Sequence, residues 1–397
     1  MESKVFEIIE KEKQRQEKNV ELIASENFVS DNVLKAVGSC VINKYSEGYA
    51  PNNDGNKGRY YGGCQYIDEL EVYCCQKWKE VFNTDYHVNV QPHSGSQANF
   101  AAYMSILEPN DKILAMDLNN GGHLTHGSSV NFSGKLYDFE FYRTDSNGYI
   151  DYDDLKEKIA SFRPKLVVAG ASAYPRIIEF KKIRELIDEE MSKDPEYKCY
   201  FMVDMAHIAG LVAAGQHPSP FGLADIITTT TQKTLRGARG GMIFCKKELA
   251  KKVDSALFPG SQGGPLQNMI AGKAVAAEEA LTDEYKQYIK QVVVNAKAMA
   301  NEFVKLGYKV VTGGTDNHMF LLDLTDLNIS GKVVQDLLDE HFITVNKNCV
   351  PNEKRSPKET SGVRIGTPAM TTKGWVEKDF IQCADNIDKI IKEYLSK

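Results

Sequence analysis

Short apolar runs and longer amphipathic stretches alternate along the first two thirds of the chain. Runs of about five apolar residues, most of them without polar alternation, predict buried strands, and helical stretches lie between several of them. The predicted strands are Lys112–Met116, 165–170, 199–203, 225–229 and Gly241–Cys245. This alternation is typical of an α/β fold with a mostly parallel sheet and crossover helices.

The pattern changes near residue 267, where a long helical region is predicted over 269–306. The elements predicted after it are strands at 308–311 and 319–324, a helix at 332–340, strands at 343–345 and 363–365, and a last helix at Glu377–Leu395. At the other end, an amphipathic helix at 3–19 leads into an extended arm at 21–27. We therefore expect an N-terminal helix and arm (1–42), a large domain (43–268) and a smaller α+β C-terminal domain (269–397).

Two predicted strands lead into charged side chains. The strand at 199–203 ends in Asp204, and the strand at 225–229 runs out through a polar loop to Lys233. In a parallel sheet both strand ends open onto the same crevice. A lysine and a carboxylate there match pyridoxal phosphate, which needs a Schiff-base lysine and a carboxylate at its pyridine nitrogen. From these two segments alone, a structural Lys–Asp pair remains the alternative.

Ser94, Gly95 and Ser96 stand at the start of a predicted helix. Unpaired backbone N–H groups and the positive end of the helix dipole favour a phosphate there. Serine is also a common N-cap residue, so an ordinary helix cap is the alternative.

The segment 119–127 places His123 beside two glycines, which allow an imidazole to approach a flat ligand. His126 follows three residues later, so the two histidines also raise the possibility of a metal pair. No acidic residue or cysteine lies near them in sequence to act as a third ligand. We therefore prefer the interpretation that the His123 imidazole lies against a flat ligand, and no metal is predicted.

Composition narrows the class of protein. A net charge of −6 argues against general nucleic-acid binding. No apolar stretch approaches the length of a membrane span, so no membrane association is expected. The eight cysteines are scattered without a C-x-x-C pair, and the first residues resemble neither a secretory signal nor a transit peptide. Reduced thiols in a cytoplasmic protein are expected.

Ten further segments occur in an order that is too extensive to be generic. They are 21–27 (ELIASEN), 43–49 (NKYSEGY), 59–64 (RYYGGC), 90–99 (VQPHSGSQAN), 121–127 (GGHLTHG), 203–207 (VDMAH), 228–237 (TTTTQKTLRG), 262–265 (QGGP), 314–318 (GTDNH) and 361–368 (SGVRIGTP). Together they resemble the serine hydroxymethyltransferase family, in the aspartate-aminotransferase-like group of pyridoxal-phosphate enzymes. The resemblance covers essentially the whole chain.

The resemblance implies a pyridoxal-phosphate fold of type I, with 43–268 as the cofactor-binding domain. It implies that the cofactor is covalently bound to Lys233, that Asp204 contacts the pyridine nitrogen and that His123 stacks on the ring. Further cofactor contacts implied are Ser94, Gly95, Ser96, Ser172, His207 and Thr230, with Tyr45, Gly263 and Gly264 from a neighbouring subunit.

On the substrate side, the resemblance implies that Arg364 holds the substrate carboxylate, with Ser25 beside it. A guanidinium fork suits a carboxylate. Glu47 is implied near the substrate hydroxyl and the folate, with Tyr60 and Tyr61 lining that site. Leu118, Gly122, Leu124 and Asn348 are implied to line a pteridine pocket. The catalytic residues implied are Lys233, Glu47, Tyr61, Asp204 and His123.

The implied reaction is the reversible transfer of the hydroxymethyl carbon of L-serine to tetrahydrofolate, giving glycine and methylenetetrahydrofolate. Tetrahydrofolate is thus a co-substrate, and a homodimer or dimer of dimers with shared active sites is implied. Two alternatives use the same lysine: a folate-independent aldolase for threonine-like amino acids, and a hydroxymethyltransferase preferring an α-methyl amino acid. A non-catalytic binding protein is disfavoured because Lys233, Asp204, Arg364 and Glu47 are all present.

Four features depart from the family pattern. Gln232 stands where histidine usually precedes the lysine, and the link between Tyr49 and Arg59 is longer than usual, over 50–58. Ala238 replaces a usual proline, and Asn120 replaces a common histidine. None of these changes removes a group that the implied reaction requires, but they put the preferred substrate in doubt.

Overall fold

The computed structural model describes residues 3–51 and 58–397. It begins with helix α1 (Lys4–Lys18), strand β1 (Val20–Glu21) and helix α2 (Asp31–Val37). The helix predicted at 3–19 is therefore confirmed. None of the α1 side chains is buried, and its apolar residues near the start are exposed. The lengthened loop noted in the sequence falls largely on residues 52–57, which lie outside the described residues.

A seven-stranded sheet forms the centre of the large layer. Its elements and their helices are α3 (Gln65–Phe82), β2 (His87–Asn89), α4 (Gly95–Ile106), β3 (Lys112–Met116), α5 (Phe132–Leu136), β4 (Asp138–Tyr142), α6 (Tyr152–Phe162), β5 (Leu166–Ala169), α7 (Phe180–Lys193), β6 (Tyr200–Asp204), α8 (Ala209–Ala213), β7 (Ile226–Thr230), β8 (Gly241–Cys245) and α9 (Ala250–Leu257). The strand order is β2-β8-β7-β6-β5-β3-β4.

All pairings in this sheet are parallel except those of β8, which runs antiparallel to both β7 and β2. The predicted α/β class with a mostly parallel sheet and crossover helices is confirmed. Strands β2 and β4 were not predicted, and the antiparallel direction of β8 was not visible in its apolar run.

Continuous apolar runs form these strands because both faces of the sheet are covered. In β5, Val167 and Ala169 pack into the core on one face, while Leu166 and Val168 pack into the core on the other. Side chains of a strand alternate between faces, so a strand covered on both sides is largely apolar, and its polar exceptions, such as the threonines of β7, are buried. The burial places the polar residues at the strand ends, where the crevice opens.

The remaining elements build a second layer. They are α10 (Gln267–Ala280), α11 (Asp283–Lys305), β9 (Lys309–Val310), β10 (Met319–Asp323), α12 (Gly331–Glu340), β11 (Ile343–Thr344), β12 (Asn346–Asn348), β13 (Gly362–Gly366), α13 (Pro368–Thr372) and α14 (Glu377–Leu395). Four strands form an antiparallel sheet in the order β12-β13-β10-β9. Its core includes Leu22 of the N-terminal arm, and β1 pairs with β11, so the arm packs on this layer.

The long helical region predicted over 269–306 is two helices, not one. Thr282 lies between α10 and α11, and its side-chain Oγ1 accepts a hydrogen bond from the backbone N–H of Tyr285 at 3.2 Å. A threonine that caps a helix in this way marks a new helix start. The predicted helical region is therefore confirmed, and the structure adds the break at Thr282, which the sequence analysis did not identify. No helix among the described residues is both long and apolar enough to cross a membrane.

Candidate active site

A cavity of about 470 Å³ opens at the ends of the central strands. Many of the residues that the sequence singled out line it: Ser25, Ser94, Gly95, Ser96, His123, Ser172, Asp204, His207, Thr230, Lys233 and Arg364. Five others complete its lining: Glu26, Ala171, Ala206, Gln232 and Arg239. The fold thus brings together side chains that lie up to several hundred residues apart in sequence.

Lys233 follows the end of β7 by three residues, and its main-chain carbonyl accepts a hydrogen bond from Asn27 Nδ2 at 3.0 Å. Burial lowers the pKa of the lysine to about 8; the charges of Arg364 and Arg239 also lower it, while Asp204 raises it. A larger fraction of the amine is therefore neutral and nucleophilic near neutral pH than for an ordinary lysine. Such an amine is suited to bind an aldehyde covalently.

Asp204 ends β6, the strand next to β7, and three donors fix its carboxylate. Oδ1 accepts from the backbone N–H of Ala206 at 3.0 Å, and Oδ2 accepts from Asn99 Nδ2 at 2.9 Å and lies 3.2 Å from His126 Nε2. Burial alone would raise the pKa of this carboxyl, but His126, His123 and Asn99 bring it below its usual value. An ionised, oriented carboxylate facing the cavity is suited to a protonated ring nitrogen.

His123 presents an uncharged ring to the cavity. Burial, followed by the neighbouring His126, lowers its pKa to about 4. Its Nδ1 lies 2.7 Å from Thr125 Oγ1, which fixes the ring. A Cβ atom on Gly122 would lie 2.2 Å from the carbonyl oxygen of Met116, so only glycine allows the loop this close approach to β3. A flat neutral imidazole held in this way is suited to stack on an aromatic ligand.

The structure supplies the third metal donor that the sequence lacked. Donor atoms of His123, His126 and Asp204 lie within 4.8 Å of one another. However, His126 and Asp204 are hydrogen-bonded to each other, and Asn99 and Thr125 engage the cluster further. These contacts direct the carboxylate towards a cationic or protonated partner, and the prediction of no metal stays a prediction.

The start of α4 forms an anion cradle. Ser94 is the N-cap, and its Oγ accepts from the backbone N–H of Gln97 at 3.3 Å, so the ordinary capping role is present. The backbone N–H groups of Gly95 and Ser96 have no acceptor within the described residues. A Cβ atom on Gly95 would lie 2.6 Å from Thr230 Cγ2. The cradle is therefore both capped and open to an anion.

Arg364 lies on β13, and its side chain is buried at the cavity. Its NH1 donates to the carbonyl of Ser172 at 2.5 Å, and its Nε donates to Asn346 Oδ1 at 3.1 Å. Burial lowers the pKa of the guanidinium to about 10, so it stays charged at neutral pH. No carboxylate within the described residues forms an ion pair with it. A buried cation without a counter-ion is suited to an anionic ligand.

A second group of predicted residues lies on the surface, outside this cavity. We call it the tyrosine cluster, and it consists of Tyr45, Glu47, Tyr60 and Tyr61. Two of the tyrosine hydroxyls approach the Glu47 carboxylate, Tyr45 at 3.5 Å and Tyr61 at 3.4 Å, and the Tyr45 and Tyr61 ring centroids are 5.0 Å apart. Tyr60 is 78% exposed.

Gly263 and Gly264 pack against the tyrosine cluster. A Cβ atom on Gly263 would lie 3.0 Å from Glu47 Oε1, and one on Gly264 would lie 3.5 Å from the Tyr45 ring. The residues implied for the pteridine pocket do not line the cavity either. Leu118 and Leu124 are exposed, Gly122 is buried in the loop, and Asn348 donates its Nδ2 to the carbonyl of Cys349 at 2.7 Å.

Sequence reasoning missed three residues of the site. Asn99 holds Asp204, and it lies one helical turn after Gly95, a spacing that places both on one helix face. Asn346 orients Arg364 from the neighbouring strand, which the sequence did not reveal because the pairing of β12 with β13 is a tertiary contact. His318, to which the sequence analysis assigned no role, is fully buried against His207.

The residues present fit pyridoxal phosphate. The cavity combines a nucleophilic lysine, an ionised carboxylate, a neutral imidazole and an anion cradle, as derived above from their contacts. A family model described as Serine hydroxymethyltransferase matches residues 1–387. That family consists of pyridoxal-phosphate-dependent glycine hydroxymethyltransferases, and the fold agrees with its fold type I. The resemblance seen in the sequence motifs is confirmed by this match.

Proposed function

We propose that this chain, which belongs to the serine hydroxymethyltransferase family, transfers the hydroxymethyl carbon of L-serine reversibly to tetrahydrofolate, giving glycine and 5,10-methylenetetrahydrofolate. The observation that carries the proposal is the cavity itself. It joins Lys233 and Asp204 at neighbouring strand ends with Arg364, a buried guanidinium without a carboxylate partner. This set of residues is better explained as a binding site for an amino acid than as a structural Lys–Asp ion pair.

Each cavity residue has a proposed task. The Lys233 amine would hold the cofactor aldehyde covalently, Asp204 would keep a proton at the pyridine nitrogen, and the N–H groups at Gly95 and Ser96 would bind the phosphate. Bound pyridoxal phosphate supplies an electron sink for the bond that breaks at the amino acid's α-carbon. Arg364 would bind the substrate carboxylate and so orient the amino acid in the cavity. Such positioning can contribute several kcal/mol to catalysis (~7–11 at most).

Two groups are placed to move protons. Lys233, with its pKa near 8, can accept or release a proton near neutral pH when its amine is free. Glu47 is proposed to handle the proton of the substrate hydroxyl, with Tyr60 and Tyr61 beside it. Because Glu47 lies in the surface tyrosine cluster, this role requires that the cluster meet the cavity of another copy.

The proposed assembly is therefore a homodimer, or a dimer of dimers, with shared active sites. Tyr45, Glu47, Gly263 and Gly264 pack together outside the cavity of their own chain, which supports the proposal. The exposed apolar side chains of α1, at Val5, Phe6, Ile8 and Ile9, offer further surface for a partner to cover. All cysteines of the chain are free thiols, in agreement with the proposed cytoplasmic location.

One assay tests the function. Cofactor-loaded protein is given L-serine with and without tetrahydrofolate, and glycine and methylenetetrahydrofolate are measured, with Lys233→Ala as the control. Folate-dependent glycine formation is expected. Cleavage of threonine that does not depend on folate, with little serine cleavage, would assign the aldolase instead. Faster turnover of α-methylserine than of serine would assign the α-methyl preference, and no turnover would contradict all three activities.

A further inference from the structure

His207, on the wall of the cavity, contacts a second buried histidine. Its Nδ1 lies 3.2 Å from Nε2 of His318, and the two ring centroids are 5.5 Å apart with their planes at 31°. His207 follows β6 of the central sheet, whereas His318 directly precedes β10 of the second layer. The pair therefore joins the two layers at the edge of the cavity.

The backbone around His318 is held on both sides. Its carbonyl accepts from the backbone N–H of Thr367 at 3.1 Å. The preceding residue, Asn317, donates its Nδ2 to the carbonyl of Tyr174 at 2.9 Å, and its Oδ1 accepts from the N–H of Met319 at 3.1 Å. His318 is fully buried. Its ring is therefore fixed relative to His207 by the fold and not by the ligand.

Both imidazoles are neutral at neutral pH. Burial, followed by the nearby charges of Lys233 and Arg364, lowers the pKa of His207 well below its ordinary value. Burial and the charges of Arg364 and Lys233 also lower the pKa of His318, to about 3. A neutral imidazole carries one N–H and one bare nitrogen, so the contact between the rings needs one donor and one acceptor.

The partner of the remaining nitrogen decides between the two possible arrangements. His318 Nδ1 is sealed from solvent and has no hydrogen-bond partner in the described chain. If His207 Nδ1–H donated, His318 would carry its proton on this Nδ1, leaving a buried N–H without an acceptor. If His318 Nε2–H donates, Nδ1 is only a bare acceptor. Orphaned buried N–H groups are the rarer of the two in folded proteins.

The opposite nitrogen of His207 faces the cavity. Nε2 of His207 has no partner among the described residues, but unlike Nδ1 of His318 it is not sealed from solvent. When His207 Nδ1 accepts from His318, the proton of His207 must lie on Nε2. The ring then offers the cavity an N–H donor and not a lone pair.

We infer that His318 is a positioning residue that selects the tautomer of His207, by donating Nε2–H to Nδ1 of His207 so that the His207 Nε2–H points into the cavity. This step rests on the proposed function, and the family resemblance implies that His207 contacts the phenolic oxygen of pyridoxal phosphate, which would be the acceptor for that N–H. That oxygen is an acceptor, so a bare Nε2 would face it lone pair to lone pair. The tautomer itself is a property of the chain.

Long-range ¹H–¹⁵N correlation spectra of histidine-labelled protein test the tautomer directly. The chain has eight histidines, so the spectrum is tractable, and the His207 signals are identified by their loss in His207→Asn. His217 is an internal standard, because its Nδ1 faces the carbonyl of Pro218 at 2.9 Å and its Nε2 accepts from the N–H of Ile178 at 3.2 Å. The expected pattern for His207 is the opposite one, protonated on Nε2. Protonation on Nδ1 would overturn the inference.

Two variants separate tautomer selection from packing. In His318→Gln the side-chain amide can still donate to Nδ1 of His207, whereas His318→Leu fills the space without a donor. We expect the Nε2–H tautomer of His207 to persist in His318→Gln and to give way to a mixture in His318→Leu. An unchanged tautomer in His318→Leu, with the protein folded by circular dichroism, would show that His318 does not select it.

Cofactor binding gives a second readout that a merely structural role would not reproduce. Dissociation constants are measured for pyridoxal phosphate and for 3-deoxypyridoxal phosphate, which lacks the phenolic oxygen. His318→Leu is expected to weaken binding of pyridoxal phosphate ~2- to 10-fold, the range of one neutral hydrogen bond, and to leave the analogue unchanged. Equal weakening of both ligands would overturn the assignment. Failure of native protein to bind pyridoxal phosphate would contradict the proposed function, while the spectra would still decide the tautomer.

Discussion

The cavity and the tyrosine cluster are two halves of one proposed site, but hydrogen bonds fix the side chains of the cavity much more firmly than those of the cluster. In the cavity, Asp204 has three hydrogen-bond donors, and Arg364 is fixed by two acceptors at 2.5 and 3.1 Å. In the tyrosine cluster, the hydroxyl-to-carboxylate distances are 3.4 and 3.5 Å, and Tyr60 is exposed. Contacts at the outer limit of hydrogen bonding do not fix a side chain.

The difference follows from the cost of burial. A buried charge must be paired or hydrogen-bonded in its own chain, so folding alone sets the geometry of Asp204 and Arg364. A side chain that water can reach has no such requirement, and its final position can be left to a partner. The geometry of Asp204 and Arg364 is therefore expected to be complete in one chain, whereas the contacts of the tyrosine cluster are expected only in an assembly.

The largest expected effect is the loss of activity when the reactive lysine of the cavity is removed. Lys233→Ala should reduce serine cleavage to background, because no other amine of the cavity lining can bind the aldehyde. In native protein, borohydride should attach the cofactor to Lys233, as read by peptide mass mapping. Lys273 is a matched internal control: burial also lowers its pKa to about 8, but its Nζ donates to the carbonyls of Val90, Pro92 and Gly241. Labelling of Lys273 would contradict the assignment.

The next prediction tests the proposed role of Glu47 in the tyrosine cluster. Glu47→Gln keeps the shape of the side chain but removes its titratable proton, so we expect a large loss of folate-dependent serine cleavage. Cofactor binding and some cleavage of threonine-like substrates should remain, because the cavity is unchanged. Parallel loss of every activity would mean that Glu47 only supports the assembly or the loop.

Mixing the two defective proteins sharpens the same comparison. If Lys233 and Glu47 of one site come from different chains, each mixed dimer of Lys233→Ala with Glu47→Gln carries one intact site. Random reassortment should then restore about a quarter of the native activity. Activity no higher than that of the separate variants, with mixed dimers present by native mass spectrometry, would place both residues in the same chain's site.

A third prediction concerns the substrate end of the cavity. Arg364→Ala should weaken the binding of serine and glycine by ~1.5–3 kcal/mol, the range for a charge-assisted hydrogen bond. Cofactor retention should change little. Arg176 is the control, because it lies outside the cavity lining and pairs with Asp316 at 2.9 Å. Titrations followed by the cofactor absorbance measure both variants, and near-native affinity in Arg364→Ala would return this arginine to a structural role.

The lowered pKa of Lys233 predicts a pH dependence for cofactor capture. The neutral amine is the reactive form, so the rate of covalent binding to cofactor-free protein should rise with pH to a midpoint near 8. An ordinary lysine would give a midpoint near ~10.4. Because Arg364 lowers this pKa and Asp204 raises it, Arg364→Ala should move the midpoint up and Asp204→Asn should move it down. Stopped-flow absorbance from pH 6.5 to 9.5, a window set around the expected midpoint near 8, measures the shift. Midpoints that move in the opposite directions would contradict the effects assigned to Arg364 and Asp204.

The smallest expected effect concerns Gln232. Its Oε1 accepts from the N–H of Gly240 at 3.4 Å, and the amide lines the cavity with Arg239. A histidine there would add charge below its pKa of ~6.5, and a charge-assisted hydrogen bond is roughly twice as strong as a neutral one. Gln232→His should therefore hold pyridoxal phosphate more tightly at acidic pH and equally at pH ~8. Equal dissociation constants for the two proteins at both pH values would show that this substitution does not affect cofactor binding.

The sequence by itself determined which residues stand at the strand ends. Short, largely apolar runs predicted the strands that lead to Asp204 and Lys233, and Ser94 to Ser96 marked the helix start, because these signals are local. The order of the motifs was enough to identify the family, which the match over residues 1–387 confirms.

Only the tertiary structure decided which of these residues share a cavity. The sequence analysis named both Glu47 and Lys233 as catalytic residues, but only Lys233 lines the cavity. Which residues line a cavity depends on the packing of distant segments. The direction of β8 and the break at Thr282 also depend on neighbours or on a single cap. The contact of His318 with His207 joins residues 111 positions apart across two sheets. No local pattern encodes such a contact, because its energy exists only once both layers have packed.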